Sequence, residues 1–148
     1  MREILFRGQT RKRGERVRIG DGAPLPGHWV FGGILPGKGD HSIIYAVDEN
    51  GLFDDKYPVH SDTVGQYASK SDCNGFRIFE HDLLHIRTQN IDEEDGVFEV
   101  LWDNEGAKFV AVSNGLSVDL GELMDMQMKI VGNIHDNPEL LEVATDDA

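Results

Sequence analysis

The sequence predicts a mainly β fold, arranged as a meander or a small barrel, and three observations lead to this prediction. Short runs rich in β-branched and aromatic residues alternate with period two, which is typical of half-buried strands, at residues 43–47, 97–102 and 108–112. Asn-Gly pairs supply the positive backbone dihedrals that tight hairpins require, at residues 50–51, 74–75 and 114–115. Seventeen glycines in 148 residues add further turn sites between short strands.

The strand predicted at residues 97–102 shows the alternation most clearly. Phe98, Val100 and Trp102 share one face of this strand, while Glu99 and Asp103 mark the other face. We therefore expect Trp102 to lie in the core and not on a surface that stacks on bases.

Helix is scarce in this sequence. Leu120 and Leu123 have the spacing of about one helical turn, although the glycine between them weakens that turn. Asn137-Pro138-Glu139 is a stronger start signal, because it combines a capping Asn, a Pro at the first helical position and an acid in the first turn. We expect a short C-terminal helix from about Pro138.

The net charge of −13 is unevenly distributed along the chain. Residues 1–20 hold seven Arg or Lys against two Glu, a local charge of +5, which leaves −18 for the other residues. The acidic part is either a solvated surface or an imitation of nucleic acid that occupies a DNA-binding protein. For the basic arm we expect at most weak, non-specific nucleic-acid binding, because the acidic remainder opposes a polyanion. We favour pairing of these cations with the acidic surface of the same or a neighbouring subunit.

The sequence also bears on location. No stretch approaches the roughly 20 apolar residues that a membrane-spanning helix needs, so we expect no membrane partner. The basic start is not followed by an apolar run of signal-peptide length. Cys73 is the single cysteine and cannot form an internal disulfide. These features predict a soluble protein of a reducing cytoplasm.

Residues 20–40 are rich in Gly and Pro and are predicted to be a loop with a short strand around Trp29-Val30-Phe31. This loop separates the basic arm from the main β region. We therefore predict an N-terminal region of β arm and loop at residues 1–62 and a second region at residues 63–148, which can also form one compact unit with the first.

A glycine- and lysine-containing stretch at residues 32–39 has the spacing of a phosphate-binding loop. Its chemistry fails, because Gly39 stands where a Ser or Thr should hold magnesium, and a strand follows where a helix should begin. The stretch is interpreted as a hairpin loop with an exposed Lys38, and no cofactor is predicted.

The densest group of potentially reactive side chains is Glu80-His81-Asp82, with His85 following. On a strand, about 3.3 Å per residue places His81 and His85 roughly 13 Å apart, too far for one metal ion. We therefore predict no bound metal and two short strands with a bend between them. No nucleophile elbow or other companion motif supports catalysis, so no catalytic residue is assigned.

Four segments of the chain carry a resemblance to a known family. They are MREILFRG at residues 1–8, HWVFG at 28–32, VGQYASKSDCNGFRIFEHDLL at 64–84 and IVGNIHDNPELL at 130–141. In order and spacing they resemble the motifs of the YopX family of phage and prophage proteins. The family motifs read MRxIxFRG, W-V-x-G, V-G-Q-Y-T-G-L with an N-G turn before I-Y/F-E-G-D-I-V, and V-I-G-N-I-x-x-N-P-E-L-L.

The resemblance implies a small Src-homology-3-like (SH3-like) β-barrel at residues 63–148, with an N-terminal β-hairpin extension and a short C-terminal helix. It also implies a phage or prophage origin and no established activity, so it transfers no catalytic residue. His81 stands in the place of the family's usual glycine, which predicts a turn at this position. If the turn needs a positive φ, histidine tolerates it at a modest cost. Ala68-Ser69-Lys70 replaces the family's T-G-L and is a second departure from the pattern.

Two classes of function remain open from the sequence. The first is a small accessory module that binds a host or phage macromolecule and forms homo-oligomers. The second is an enzyme of unrecognised type that uses His81 and His85 with nearby carboxylates. A concave site in which His81, His85 or His60 meets a carboxylate would favour the enzyme, and an exposed apolar or basic patch would favour the binding module.

Overall fold

Antiparallel β-strands dominate the computed structural model, which describes residues 2–12, 27–47, 50, 52–87 and 96–141. The prediction of a mainly β chain is therefore confirmed. The chain divides into two compact units, Met1–Gln66 and Tyr67–Ala148. The predicted domains, residues 1–62 and 63–148, stay a prediction.

The first unit is built from four complete strands and the start of a fifth. These are β1 (Phe6–Arg11), β2 (His28–Pro36), β3 (His41–Val47), β4 (Phe53–His60) and the first two residues of β5 (Gly65–Ser71). Their order in the sheet is β4-β3-β2-β1-β5. Strand β1 is paired on both sides, since Phe6 lies opposite Gly32 of β2 and opposite Gln66 of β5. The N-terminal arm is therefore an interior strand and does not offer a free sheet edge at Phe6.

One face of the first sheet packs into a small core. Val30, Ile44 and Val59 are buried there, one from each of β2, β3 and β4. Strand β2 is longer than the short strand predicted around residues 29–31, because its residues up to Pro36 pair with β3. The stretch that imitates a phosphate-binding loop is therefore strand followed by a turn, with Lys38 exposed in the turn.

The basic arm is partly engaged within the first unit. Lys12 forms an ion pair of 2.7 Å with Asp62, and the guanidinium of Arg7 lies 4.4 Å from the ring centroid of Trp29. Residues 13–26, which hold the last three cations of the predicted arm, Arg13, Arg16 and Arg18, lie outside the described residues. The Lys12 pair supports the idea that arm cations bind the chain's own carboxylates.

The second unit contains the rest of β5 and six further strands. These are β6 (Arg77–Phe79), β7 (Asp82–Ile86), β8 (Val97–Asp103), β9 (Lys108–Ser113), β10 (Leu116–Asp119) and β11 (Met128–Asn133). Five of them form an antiparallel sheet in the order β10-β9-β8-β7-β11, and β6 pairs with β5. Among the described strands no pairing joins β10 to β11, so this sheet is open and the predicted closed barrel is not confirmed.

Hairpin turns in the second unit follow the predicted Asn-Gly pairs. Gly75 has φ 84°, and Asn114 and Gly115 have φ 47° and 80°. Ala107 has φ 52° in the turn at residues 104–107, between β8 and β9. These left-handed conformations favour Gly and Asn and explain why these residues occupy the turns. The predicted turn at residues 50–51 lies partly outside the described residues.

The core of the second unit confirms part of the strand prediction. Phe98 and Val100 of β8 are buried in it, together with residues of β5, β6, β7, β9 and β11. Trp102 is 44% exposed, so the prediction that it belongs to the core is wrong. It lies one pair before the turn at residues 104–107, and its ring packs edge-on against Phe109 with centroids 4.9 Å apart. The two-residue alternation of the sequence predicts which face of β8 carries Trp102. It does not predict that Trp102 lies near the end of the strand, where the core no longer covers it.

Helical structure is minor among the described residues. The turn predicted near Leu120 is a 3-10 turn at Leu120–Glu122. Residues 138–141 are helical, as predicted from Pro138, and residues 142–148 lie outside the described part. No helix in the described ranges has the length and apolar character needed to cross a bilayer.

Candidate functional site

The Glu80-His81-Asp82 patch forms the turn between β6 and β7. The predicted turn is therefore found, and His81 adopts the positive φ of 72° that the family's glycine at this position would adopt without strain. The buried Asp82 closes the turn, because its Oδ2 accepts a 2.8 Å hydrogen bond from the backbone N–H of Phe79. The patch is therefore a structural turn whose side chains are held in fixed positions.

The backbone of His81 is held on both sides. Its N–H donates to the carbonyl of Val100 at 2.7 Å, and its own carbonyl accepts from the N–H of Ile134 at 2.9 Å. These bonds tie the turn to β8 and to the segment that follows β11. The position from which the His81 imidazole projects is therefore fixed by three parts of the second unit: the turn itself, β8 and the segment after β11.

The His81 side chain meets a carboxylate and a second histidine. Its Nδ1 lies 3.0 Å from Oε2 of Glu99, and both side chains are partly buried. The ring of His135 packs edge-on against it, with centroids 5.5 Å apart. Asn133 fixes the turn that carries His135, because its Oδ1 accepts the N–H groups of His135 and Asp136. A histidine beside a carboxylate can act as a general acid or base, but catalysis also requires a substrate placed within hydrogen-bond distance.

The other predicted candidates are not brought to this place. His85 lies inside β7, opposite Val97 of β8 and Lys129 of β11. His60 belongs to the first unit, where its ring packs against His41 at 4.8 Å. Among the described residues, no group of three or more His, Cys, Asp or Glu side chains has an arrangement suited to a metal ion. The absence of a metal from the protein stays a prediction.

Replacing His81 separates the two roles of this residue. We expect His81→Ala to be less stable than His81→Gly by about 1 kcal/mol, because alanine pays a steric cost at positive φ that glycine avoids. Both variants lose the contact with Glu99, so that contact cancels from the difference. Urea unfolding followed by tryptophan fluorescence measures both free energies. Equal stabilities would show that the backbone conformation at residue 81 does not constrain the side chain.

A shallow pocket of about 320 Å³ lies elsewhere in the second unit. Its lining comes from β5, the start of β9 and the segment after β10: Ala68, Ser69, Lys70, Lys108, Phe109, Asp119, Leu120, Gly121 and Glu122. Ser69, in the place of a family glycine, has φ 64°. The chain therefore keeps a left-handed conformation here despite the departure from the T-G-L motif.

Two lysines give the pocket its charge pattern. Lys108 Nζ lies 2.8 Å from Asp119 Oδ1, and the hydrogen bond to this carboxylate, with its charge, raises the pKa of Lys108 above its usual value. Lys70 Nζ donates to the backbone carbonyl of Leu123 at 2.6 Å, and that acceptor carries no net charge. Lys108 is thus neutralised by a carboxylate, while Lys70 is held by a neutral partner.

The first unit presents an apolar surface on the side of the sheet opposite its core. Across β2, β3 and β4, residues Leu35, Ile43 and Pro58 lie directly opposite one another. Opposed residues of antiparallel strands project to the same face. The surface, hereafter the apolar face, consists of Phe31, Leu35, Ile43, Tyr45, Phe53 and Pro58.

Three side chains of the apolar face are largely exposed: Phe31 by 45%, Leu35 by 50% and Phe53 by 62%. The ring of Phe53 contacts that of Tyr45, with centroids 6.0 Å apart. Contiguous exposed apolar residues of this kind mark interaction surfaces in many proteins. Lys56 lies opposite Tyr45 on the same side of the sheet.

Sequence reasoning missed several of these residues. Glu99 contacts His81 from a position 18 residues later in the chain, and His135 contacts it through an edge-on ring contact. No local sequence pattern predicts such contacts. Lys70 and Lys108 were not singled out because each is a lone lysine in its own segment. The alternation in β2 and β3 was the one signal that could have indicated the apolar face.

Comparison with protein families supports the resemblance seen in the sequence. The profile of a family described as YopX protein matches residues 37–142. Among solved structures, the chain is similar to the crystal structure of protein EF1440 from Enterococcus faecalis, with 21% identity, a TM-score of 0.38, and coverage of 69% of this chain and 75% of that chain. No curated protein matches the chain.

Proposed function

This chain belongs to the YopX protein family, and from this premise we propose that it is a phage- or prophage-encoded accessory protein that acts as a binding module without catalysis. The observation that carries the proposal is the apolar face of the first unit. Leu35 is 50% exposed, so burying the rest of its side chain contributes about 1 kcal/mol to an association. An SH3-like arrangement of the second unit is part of the same proposal.

Charge indicates the chemistry of the partner. The residues of the apolar face include no carboxylate, and its surroundings carry charges of both signs: Asp40 and Lys38 are exposed in the neighbouring turn, and Asp54 and Lys56 are exposed on β4. This arrangement matches an apolar interface centre with a charged rim. The net charge of −13 attracts a basic protein over a longer distance. The partner we propose is a basic protein of the host or phage that presents an apolar patch, as nucleic-acid-binding proteins often carry basic surfaces.

A pair of matched variants tests this proposal. Leu35→Ser removes an apolar side chain from the apolar face, and Leu116→Ser removes one from β10, where Leu116 is 58% exposed. Each tagged variant and the wild type are used to capture proteins from host cells with and without the phage. We expect a basic protein that the wild type and Leu116→Ser retain and that Leu35→Ser loses.

The same variants separate this proposal from self-association. Light scattering measures the mass of the purified protein at tens of micromolar. A dimer that Leu35→Ser dissociates would show that a second copy covers the apolar face and would overturn the external partner. Identical sets of captured proteins for the wild type and Leu35→Ser would also contradict the proposal.

The contact between His81 and Glu99 supports a second candidate, acid–base chemistry in the second unit. Here the family position of His81 weighs against it, since a glycine at that position could not take part in proton transfer. A His81→Gln variant that keeps partner binding but loses the biological effect of the protein would favour this candidate. Retention of both would favour the binding module.

A further inference from the structure

The pocket of the second unit has the size and lining of a small-molecule site. Its volume of about 320 Å³ lies at the lower end of the range of roughly 300–1,000 Å³ for ligand pockets. Ala68, Phe109 and Leu120 give it an apolar lining, and Lys70 and Lys108 give it two ammonium groups. Such pockets combine an apolar lining with a few placed polar groups that orient a ligand.

The two ammonium groups are not equivalent toward a ligand. Lys108 is already paired with the carboxylate of Asp119. Lys70 also lines the pocket, and within the described part of the chain the hydrogen bond of its Nζ goes to the neutral Leu123 carbonyl and not to a carboxylate. An ammonium group has three N–H donors, so two of them are left for a ligand. An anionic group of a ligand placed at Lys70 would supply the negative partner that this ammonium group lacks.

A bulge in β5 aims Lys70 into the pocket. Pairing between β5 and β6 occurs at Tyr67 and at Ser71, so residues 68–70 leave the regular ladder. Ser69 in its left-handed conformation sits in the middle of this bulge. Bulges re-aim side chains near binding sites and are retained for that reason.

We propose that this pocket binds a small amphipathic anion, with its apolar body on Phe109 and Leu120 and its single anionic group on the Lys70 ammonium. Glu122 also lines the pocket and disfavours a second negative charge on the ligand. The proposal is independent of the apolar face, which belongs to the first unit.

A titration followed by NMR of backbone amides tests the proposal with defined probes. The probes are 4-phenylbutyrate, which has an apolar ring and one carboxylate, and 4-phenylbutan-1-ol, its uncharged counterpart. We expect saturable shifts from 4-phenylbutyrate at residues 68–70, 108–109 and 119–122, and binding of the alcohol that is weaker by about tenfold, the value of one charge-assisted hydrogen bond. Inorganic phosphate alone should bind more weakly still, because it lacks the apolar body.

Two variants assign the anionic group to Lys70. Lys70→Met keeps the apolar stem and removes the charge, and Lys129→Met makes the same charge change at an exposed position of β11. We expect Lys70→Met to weaken 4-phenylbutyrate about tenfold and to leave the alcohol unchanged. Lys129→Met should leave both probes unchanged. Equal binding of both probes to the wild type, equal effects of the two variants, or shifts that do not saturate would overturn the proposal.

Discussion

Replacing Gly32 with alanine is expected to destabilise the first unit by about 3 kcal/mol or more, because the new methyl group would overlap the backbone of β3. A Cβ built on Gly32 would collide with the carbonyl oxygen of Tyr45 and would approach Cα of Ala46 at 3.1 Å. Backbone atoms cannot rotate away as the end of a flexible side chain can, so β2 and β3 would have to separate. Thermal unfolding and urea unfolding of Gly32→Ala measure this loss.

The neighbouring residue provides a matched control. A Cβ added to Gly33 meets no atom within 4 Å. We expect Gly33→Ala to be neutral or to stabilise by up to about 1 kcal/mol, since alanine reduces the freedom of the unfolded chain. Equal losses for both variants would show that strand propensity, and not the close approach of β3, determines the requirement for glycine at residue 32.

Removing the carboxylate of Asp72 is the other change with a large expected effect. Asp72 is 3% exposed and lies in the hairpin after β5. Its Oδ1 accepts the backbone N–H groups of Asn74 at 3.0 Å and Phe76 at 2.9 Å, and its Oδ2 accepts that of Ile130 at 3.1 Å. One carboxylate therefore holds the Asn-Gly turn together and attaches it to β11.

We expect Asp72→Ala to destabilise the second unit by about 3–5 kcal/mol, because three backbone donors lose a charged acceptor in a buried place. Asp72→Asn should fall between Asp72→Ala and the wild type, since its amide retains one carbonyl oxygen. Asp103→Ala is the control: its Oδ1 accepts one local bond, from Glu105 N–H at 3.1 Å, in an exposed turn, and its loss should cost under about 1 kcal/mol. Denaturant unfolding gives all three values, and a loss for Asp72→Ala no larger than the control would contradict this account.

The sequence predicted local backbone features well because these depend on local chemistry. Strand β9 was expected at residues 108–112 and is found at Lys108–Ser113. The turn at His81 could be predicted because a glycine occupies that position in the family that the chain resembles. Ser69 follows the same rule, with φ 64° where the family has glycine. The backbone conformation that a single residue must adopt can be predicted from the residue types found at that one position.

Features that depend on distant parts of the chain could not be predicted. Trp102 alternates in step with Phe98 and Val100, but it lies past the edge of the core and is exposed. The place of β1 between β2 and β5 depends on pairing of Phe6 with residues 26 and 60 positions later in the chain. A two-residue alternation identifies a strand and its two faces. Which strands pair with it and how deeply each side chain is buried depend on the assembled sheets.

The residues shared with the family motifs have structural tasks. Gly32 of HWVFG accommodates β3, and a Cβ on Gly8 of MREILFRG would meet the side chain of Val59 at 2.8 Å. Asn133 of IVGNIHDNPELL organises its turn through the N–H groups that follow it. These motif residues therefore contribute to holding the fold.

Calorimetric titration of the captured basic protein into this protein tests the central proposal most directly. We expect one binding event that Leu35→Ser weakens at least about tenfold, corresponding to 1.4 kcal/mol or more, while Leu116→Ser binds as the wild type does. Higher salt should weaken binding of all three proteins, because the net charge of −13 attracts a basic partner and salt screens that attraction. Equal affinities of the wild type and Leu35→Ser would contradict the assignment of the apolar face as the binding surface.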